Sequence, residues 1–498
     1  MQHVSFTKTL RITSILLMLF TFVISAPVFA AGTNYYVSPS GSDSNSGTSA
    51  GSPFQTIQKA VDLAQPGDTI NLASGTYNQD IRSRRNGTAS APITLIGPSN
   101  AIIKGGGNSR IFEINHDYLT LDGFTIDGQV SSSLYRDKLL FVIGTEVRDG
   151  VSGLRVLNMT FKNAGGECLR LRYFAQNNEI AYSTFLNCGQ DDYPGGEWAG
   201  GGKNGEAIYI GTSNNQWGDG KNPTNEPDQS NNNWVHNNFM NTQGNECVDI
   251  KEGATGNIVE YNECTGQKDE NSAGLDSRGD GNTFRYNETY GNVGGGVRLG
   301  GALVDGEQYG KNNNVYDNII YDNIAGGVKF MVTPQGKICG NTMWNNTGGD
   351  SFGDFANQFD PKASCSGSAG ALEVAAVNAS SDDGNGASNT LDNNLNTRWS
   401  AQGDGAWIRY DLGSTKTVSY VDVAFHRGDQ RVADFQIQVS NNTSNWTTVF
   451  TGSSNGNTTA LQTFDFADTD GRYVRIVGFG NTQNDWNSLT EVDIYGSS

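Results

Sequence analysis

The side chains with chemistry to offer are carboxylates, lysines and arginines. Past residue 30 the chain keeps three histidines, His116, His236 and His426, and none lies in the charged columns described below. A Ser-His-Asp or Cys-His enzyme is therefore not expected. The six cysteines show neither zinc spacing nor a CxxC pair, which speaks against metal–thiolate chemistry. The group that stands out is Glu246 and Lys251 in NECVDIKEG with Arg278 in GLDSRGDG, joined by Glu206, Asp249 and Asp276. β-Elimination of a uronic acid removes the C5 proton next to a carboxylate, so it needs a base and a way to neutralise developing negative charge. A lysine flanked by an arginine and a metal has a lowered pKa and can be that base. Glu206, Glu246 and Asp249 are hard oxygen ligands suited to Ca2+, which acts as a Lewis acid. Arg170, Arg172 and Arg298 can hold further carboxylates or sulfates by bidentate pairing, and Tyr209 shares a column with Arg170 and Arg298.

Those residues sit on a repeat. Segments starting at Asn233 (NWVHNNF), Asn257 (NIVEYNE), Asn282 (NTFRYNE) and Asn314 (NVYDNII) are spaced by 24, 25 and 32 residues, the last with an insertion near 301–311. Each alternates apolar and polar residues, the period-two pattern of a strand, and ends in Asn- or Gly-rich turn chemistry. One such unit cannot bury its own apolar face, but a stack can, which predicts a solenoid of parallel strands. A second strand aligns in each coil: ECLRLR from Glu167, EAIYIG from Glu206, ECVDIK from Glu246, AGLDSR from Ala273, GGVRLG from Gly295 and GGVKFM ending at Met331. One predicted column then holds Arg170, Tyr209, Asp249, Asp276, Arg298 and Lys329. A second holds Arg172, Gly211, Lys251, Arg278, Gly300 and Met331. Coils about 4.8 Å apart bring neighbours in a column into contact.

Upstream, Phe54–Leu63 reads as a short amphipathic helix stopped by Pro66-Gly67-Asp68, placed to cap the open end of the solenoid. The segment YYVSPSGSDSNSGT…FQTIQKAVDLAQPGDTINLASGTY resembles the entry of pectin-lyase-like β-helix proteins. The expected fold is all-β: a right-handed parallel β-helix with an N-terminal capping helix over 31–360, then a discoidin-like β-sandwich, or jelly roll, over 371–498. Between them, 361–370 (PKASCSGSAG) is a linker signature. An even cysteine count permits disulfides, and Cys339–Cys365 is placed to staple the end of the first domain.

In the second domain, LDNNLNTRWSA, GAWIRYDLG, VADFQIQVSNNTSNWTTVF, GRYVRIVG and SLTEVDIYG resemble the discoidin, or coagulation factor 5/8 type C, fold. Bacterial members of that fold often bind carbohydrate beside a polysaccharide-degrading enzyme. The resemblance puts Asp392 and Glu491 where such modules hold a structural calcium; ordinary turn carboxylates are the alternative. His426, Arg427, Asp429, Arg431 and Trp486 fall on predicted loop tips, where an indole stacks on a pyranose and Arg pairs with carboxylates. Trp399 and Trp407 are expected in the core.

Gly is abundant at 64 residues and Asn is dense, which suits short strands and tight turns where φ > 0 is tolerated. Residues 1–30 read as a signal peptide: Lys8 and Arg11, an apolar run from Ile12 to Ile24, then Val28-Phe29-Ala30. Its removal takes away two positive charges and moves the net charge from −19 to −21. A secreted, extracellular monomer is expected, with no nucleic-acid or anionic-membrane partner and an extracellular polysaccharide as substrate.

The stretch NECVDIKEGATGNIVEYN, GLDSRGDGNTFRYN and GGGVRLGG is similar to the core of polysaccharide lyase family six, which includes chondroitinase B and alginate lyases. The resemblance implies that Glu246 helps bind calcium, Lys251 is the base and Arg278 assists as acid. It is partial: the usual Asn-Lys-Ser and Arg-His-Gly contexts read here as Ile-Lys-Glu and Arg-Gly-Asp. Two other classes stay open. A glycoside hydrolase would use paired carboxylates, with Asp249 and Asp276 the natural pair. A non-catalytic adhesion protein would keep the charged columns for structure alone.

Overall fold

The computed structural model describes residues 32–144, 148–191, 204–218, 225–365 and 370–497. The leader and most of the 191–221 loop lie outside the described residues. The chain forms two compact units. One runs to Asp280 and takes in 292–294 and 301–309. The other holds 281–291, 295–300 and everything from Gly310 on.

The first unit is a parallel β-helix. Its coils carry three short strands each, and every strand pairs in parallel with its counterpart one coil on. Glu179–Ala181 pairs with Trp234–His236, which pairs with Ile258–Glu260. Thr184–Leu186 pairs with Phe239–Asn241, then Glu263–Thr265. Leu169–Arg172 pairs with Ile208–Ile210, then Val248–Ile250, then Ala273–Ser277. Every other residue points inward, so Ile180, Val235 and Val259 stack, as do Phe185, Met240 and Cys264, all without exposed surface. Each such side chain contributes roughly 1.5–3 kcal/mol.

Asparagine does two jobs at the corners. One is the expected tolerance of positive φ, as at Asn177, Asn232 and Asn237. The next residue does the other. Asn178 donates its amide to Asn233 Oδ1 and Asn233 donates to Asn257 Oδ1, both at 2.9 Å, and Asn238 repeats this with Asn262. These buried amide ladders satisfy the corner backbone from coil to coil, a role that composition alone does not suggest.

The N-terminal helix covers Ile57–Leu63 and buries Ile57, Ala60 and Val61. It starts three residues after Phe54 because the Thr56 side chain accepts from Lys59 N and caps it. Disulfides join Cys168–Cys188 and Cys247–Cys264, and Cys339–Cys365 forms as expected.

The second unit contains further coils and the sandwich. Thr283–Arg285, Asn314–Tyr316 and Ile338–Cys339 pair in sequence, as do Gly295–Leu299, Gly326–Phe330 and Ser351–Phe352. The sandwich is antiparallel, built on Ala406–Phe425, Ala433–Ser440, Thr447–Ser453, Gln462–Asn481 and Trp486–Ser497. Trp399, Ile408, Tyr410, Val423 and Ile437 are in its core. Trp407 is not. Strand alternation turns Ile408 and Tyr410 inward, so Trp407 faces outward and half-buried, with the Arg409 guanidinium 5.4 Å from its ring. Within this unit the sandwich residue Asp465 accepts a 2.7 Å hydrogen bond from Tyr286 Oη and lies 3.5 Å from Arg285.

Candidate functional site

The first predicted column holds within each unit. Arg170 is register-paired with Tyr209, Tyr209 with Asp249 and Asp249 with Asp276; in the second unit Arg298, half-buried, pairs with Lys329. Lys251 and Arg278 follow the strand ends: Lys251 N donates to Ile210 O and Arg278 N to Ile250 O. Around them, Glu206, Glu246 and Asp249 bring carboxylate oxygens within 4.8 Å of one another, all buried.

Lys251 is buried. Its side chain is 6% exposed and its Nζ is ion-paired to Asp249. The Tyr209 ring lies 4.6 Å from that amine and 4.1 Å from the Arg170 guanidinium, so it is sandwiched between two cations. The lysine pKa is not lowered. Burial and Arg278 push it down, but Asp249, Tyr209 and Glu246 push it up further and hold the amine protonated. Arg278 keeps 30% of its side chain exposed, with Nε 3.9 Å from Asp249 and 3.7 Å from Asp276.

The carboxylates crowd like charges together. Burial, reinforced by Glu167 and Asp249, lifts Glu206 to about 7. Burial and the neighbouring Asp249 and Glu206 push Glu246 well above its ordinary value. Ser272 donates its hydroxyl to Glu246 Oε1. Among the described residues, Glu246 Oε2 is buried without a hydrogen-bond partner, and the Asp249 oxygens meet only the ion pairs with Lys251 and Arg278. Glu206, Glu246, Asp249 and Asp276 face Lys251 and Arg278, so these six groups carry an excess of two negative charges when ionised. Three hard oxygen donors, an orphaned carboxylate oxygen and that excess fit a divalent cation such as Ca2+.

Arg170 and Arg172 are nearly buried. Arg170 pairs with Glu167 at 2.7 Å, and both arginines donate to Gln216 Oε1 at 3.2 and 3.3 Å. Gln216 lies on the 3-10 turn Asn214–Gln216, which the stacked columns do not include because it belongs to a loop between coils. Also outside them is Glu252, beside Lys251 and 1% exposed: its carboxylate accepts from Asn214 N at 3.4 Å and Ala302 N at 3.3 Å. The 302–311 insertion forms a small hairpin, Leu303–Val304 with Glu307–Gln308.

In the sandwich, His426, Arg427 and Arg431 gather with Arg398, which sequence reasoning misses. Burial first, then Arg398, Arg431 and Arg427, lowers the His426 pKa. Arg431 Nε donates to His426 O at 3.1 Å. Asp429 is exposed and Trp486 half-buried. Asp392, exposed, and Glu491, buried, both accept from Asn394 N, at 3.0 and 3.2 Å. Burial, then Asp493 and Asp392, raises the Glu491 pKa.

Residues 35–208 match the family model described as Pel9A-like, right-handed β-helix region, and residues 376–492 match that of the F5/8 type C domain. The fold class is thus a right-handed parallel β-helix followed in sequence by a discoidin-like sandwich. The β-helix match ends before Lys251, so it leaves the 245–300 resemblance to family six outside its span. Pectate lyase PEL9 of Emericella nidulans is 46% identical over 76 residues, 14% of this chain and 18% of its own. The uncharacterized protein YwoF of Bacillus subtilis is 40% identical over 65 residues, 13% of this chain and 14% of its own. The chain thus spans less than a fifth of either curated relative. Among solved structures, the CBM32 of AlyQ in complex with 4,5-unsaturated mannuronic acid is 48% identical over 25% of this chain and 97% of its own, with a TM-score of 0.25. An alginate lyase from Paenibacillus sp. str. FPU-7 is 20% identical over 58% of this chain and 95% of its own, with a TM-score of 0.44.

Proposed function

We propose that this chain is a secreted polysaccharide lyase that cuts an acidic, uronate-containing polymer such as alginate by β-elimination, with a sugar-binding module in its sandwich. The observation that carries the reading is the buried cluster in which Lys251, Arg278 and three convergent carboxylates meet on one face of a parallel sheet. Calcium held by Glu206, Glu246 and Asp249 would neutralise the substrate carboxylate and offset the negative charge that keeps Lys251 protonated. Burial and Arg278 then favour the neutral amine at Nζ, which takes the C5 proton. The C5–H and C4–O bonds break, a C4–C5 double bond forms and the leaving oxygen takes a proton from water, which the Lys251 ammonium then restores. Arg278, partly exposed and held by Asp249 and Asp276, is placed to pair with the substrate carboxylate and assist that oxygen. Tyr209 fixes the amine from below.

The hydrolase reading has one observation in its favour, the register pairing of Asp249 with Asp276. Both side chains are without exposed surface and engaged by Lys251 or Arg278, which favours the lyase reading. In the sandwich, His426, Arg427, Arg431 and Trp486, joined by Arg398, suit an anionic sugar. The test is a panel of purified polysaccharides scored for both reducing ends and unsaturated, ultraviolet-absorbing ends. Unsaturated ends from a uronate polymer support the lyase; reducing ends alone would move the assignment to Asp249 and Asp276.

A further inference from the structure

The sheet face that carries Lys251 extends far toward the N-terminus, and a second set of cations lies on it. The register runs without a break from Arg82 to Glu113, Phe141, Arg170, Tyr209 and Asp249. Cations recur along it: Arg82, Arg110, Lys138, Arg170 and Lys251. The middle ones are consumed. Lys138 is 16% exposed and bound to Asp137 and Glu167, and Arg170 is 8% exposed and bound to Glu167. At the far end the side chains open to solvent again, with Arg82 69% and Arg110 39% exposed.

These two arginines border a cavity of about 410 Å³, lined also by Gln58, Asn108, Ser109 and Glu113. They share a single carboxylate: Arg82 Nη2 lies 3.2 Å from Glu113 Oε1 and Arg110 Nη1 lies 2.8 Å from Oε2. Arg82 Nε is spent on Asn115 Oδ1 at 2.9 Å. The other acid on the cavity, Asp80, accepts from Gly106 N at 2.8 Å and Asn108 N at 3.0 Å. Each guanidinium has five N–H donors, so the acids nearby leave most of them for a ligand. The Arg110 guanidinium also rests 3.7 Å above the Phe141 ring, which fixes its plane.

We propose that this cavity is a distal subsite that takes the carboxylate of a uronate on the same polymer chain that lies over Lys251. The inference rests on the reading of the Lys251 cluster as the place where a uronate polymer is cut. Four to five coil steps of about 4.8 Å separate the two places, or roughly 19–24 Å, and a 1,4-linked pyranose advances by about 5 Å, so about four or five sugars bridge them. The repeat of the substrate and the repeat of the coil nearly coincide, which lets a linear polyanion follow the sheet face. A carboxylate arriving at Arg82 and Arg110 finds planar donors already oriented.

The test compares oligomannuronates and oligogalacturonates of three and of ten sugars. The ratio of decasaccharide to trisaccharide kcat/KM is expected to fall about tenfold in Arg82→Ala/Arg110→Ala, the loss of a charge-assisted contact, and to fall by a smaller factor in Arg82→Ala. The single variant guards against a folding defect, because Arg82 is the more exposed of the pair. An unchanged ratio in both variants would overturn the subsite. Titration calorimetry with the decasaccharide needs no turnover and is run in an Arg427→Ala/Trp486→Ala background to weaken the sandwich's share of the binding. Weaker binding on loss of Arg82 and Arg110 supports the subsite even if no product forms. Equal binding sinks the subsite alone, whereas no binding and no cleavage of any uronate by the unsubstituted chain sinks the lyase reading with it.

Discussion

Lys251 and Arg427 are both cations on an acidic protein, and the structure treats them in opposite ways. Lys251 is held under Tyr209 and against Asp249 with 6% of its side chain exposed, and every group around it shifts the charge of another. Arg427 is exposed at a loop with φ 56° and acts on its surroundings mainly by adding positive charge beside His426 and Arg431. A buried charge set can do chemistry because low dielectric magnifies each interaction, but none of its members can change alone. An exposed set binds, tolerates substitution and contributes little to folding.

The largest effect expected from that contrast is at Lys251. Lys251→Ala removes the proposed base and should lower turnover by roughly three orders of magnitude or more. It also leaves Asp249, beside Glu206 and Glu246, with only its 3.9 Å contact to Arg278, so stability should drop by about 3 kcal/mol, read as a lower denaturation midpoint. Lys251→Arg should restore much of the stability and little of the rate. If Lys251→Ala were as stable as the parent, the cluster would not be the coupled unit described here. Next comes the cation. Chelator should lower the melting temperature and abolish activity, and added calcium should restore both, because a ligand that binds only the folded state stabilises it. Glu246→Gln should need more calcium for the same shift; a melting temperature indifferent to chelator and calcium would remove the metal from the scheme.

A third measurement asks whether burial alone sets this behaviour. Glu179 in the first unit accepts from Arg155 Nε at 2.6 Å and lies 3.3 Å from His236 Nε2. Burial raises its pKa, but the hydrogen bonds from His236 and Arg155 outweigh that and hold it at about 2. Its folded pKa is below the unfolded value of about 4.3, so its stabilisation is complete above that value and is lost as pH falls toward 2. The shift corresponds to roughly 3 kcal/mol. Denaturation midpoints between pH 6 and pH 2 should fall less steeply in Glu179→Gln, and an identical slope would show that the pairing contributes nothing.

The legibility of the two regions differs for the same reason. Period-two alternation and recurring turns put Arg170, Tyr209, Asp249 and Asp276 in one column on sequence pattern alone, because stacking forces equivalent residues into register. The alternation could not show that Lys251 is paired to Asp249 under the Tyr209 ring, nor find Gln216, on the 3-10 turn, and Glu252, whose partners lie on that turn and at the 302–311 hairpin, segments whose positions the repeat does not fix. Coils before Glu167 are similar in length, 31, 28 and 29 residues from Arg82 to Arg170, but their strands IR, RIFEI and KLLFVI share no motif, so no repeat in the sequence aligns Arg82 with Glu113. Trp407 is misplaced by composition because two aromatic residues in one strand need their phase to be assigned a face.

The smallest effect belongs to the sandwich, where Arg427 is exposed and His426, Arg431 and Trp486 are half-buried. Arg427→Ala should weaken binding of a polymeric uronate by a few-fold, in line with an exposed charge worth up to about 1 kcal/mol. Trp486→Ala should cost a comparable amount through lost stacking area. The two together should raise KM on polymer more than they lower kcat, because neither belongs to the unit that holds Lys251. The Arg427 contribution should shrink as salt rises toward molar strength, where the Debye length is about 3 Å, while the Trp486 contribution should persist. If both variants bound polymer as tightly as the parent at low salt, the sugar-binding surface would have to lie elsewhere on the sandwich. If instead kcat fell in step with KM, the exposed and buried charge sets would be coupled, and the contrast between Lys251 and Arg427 would fail.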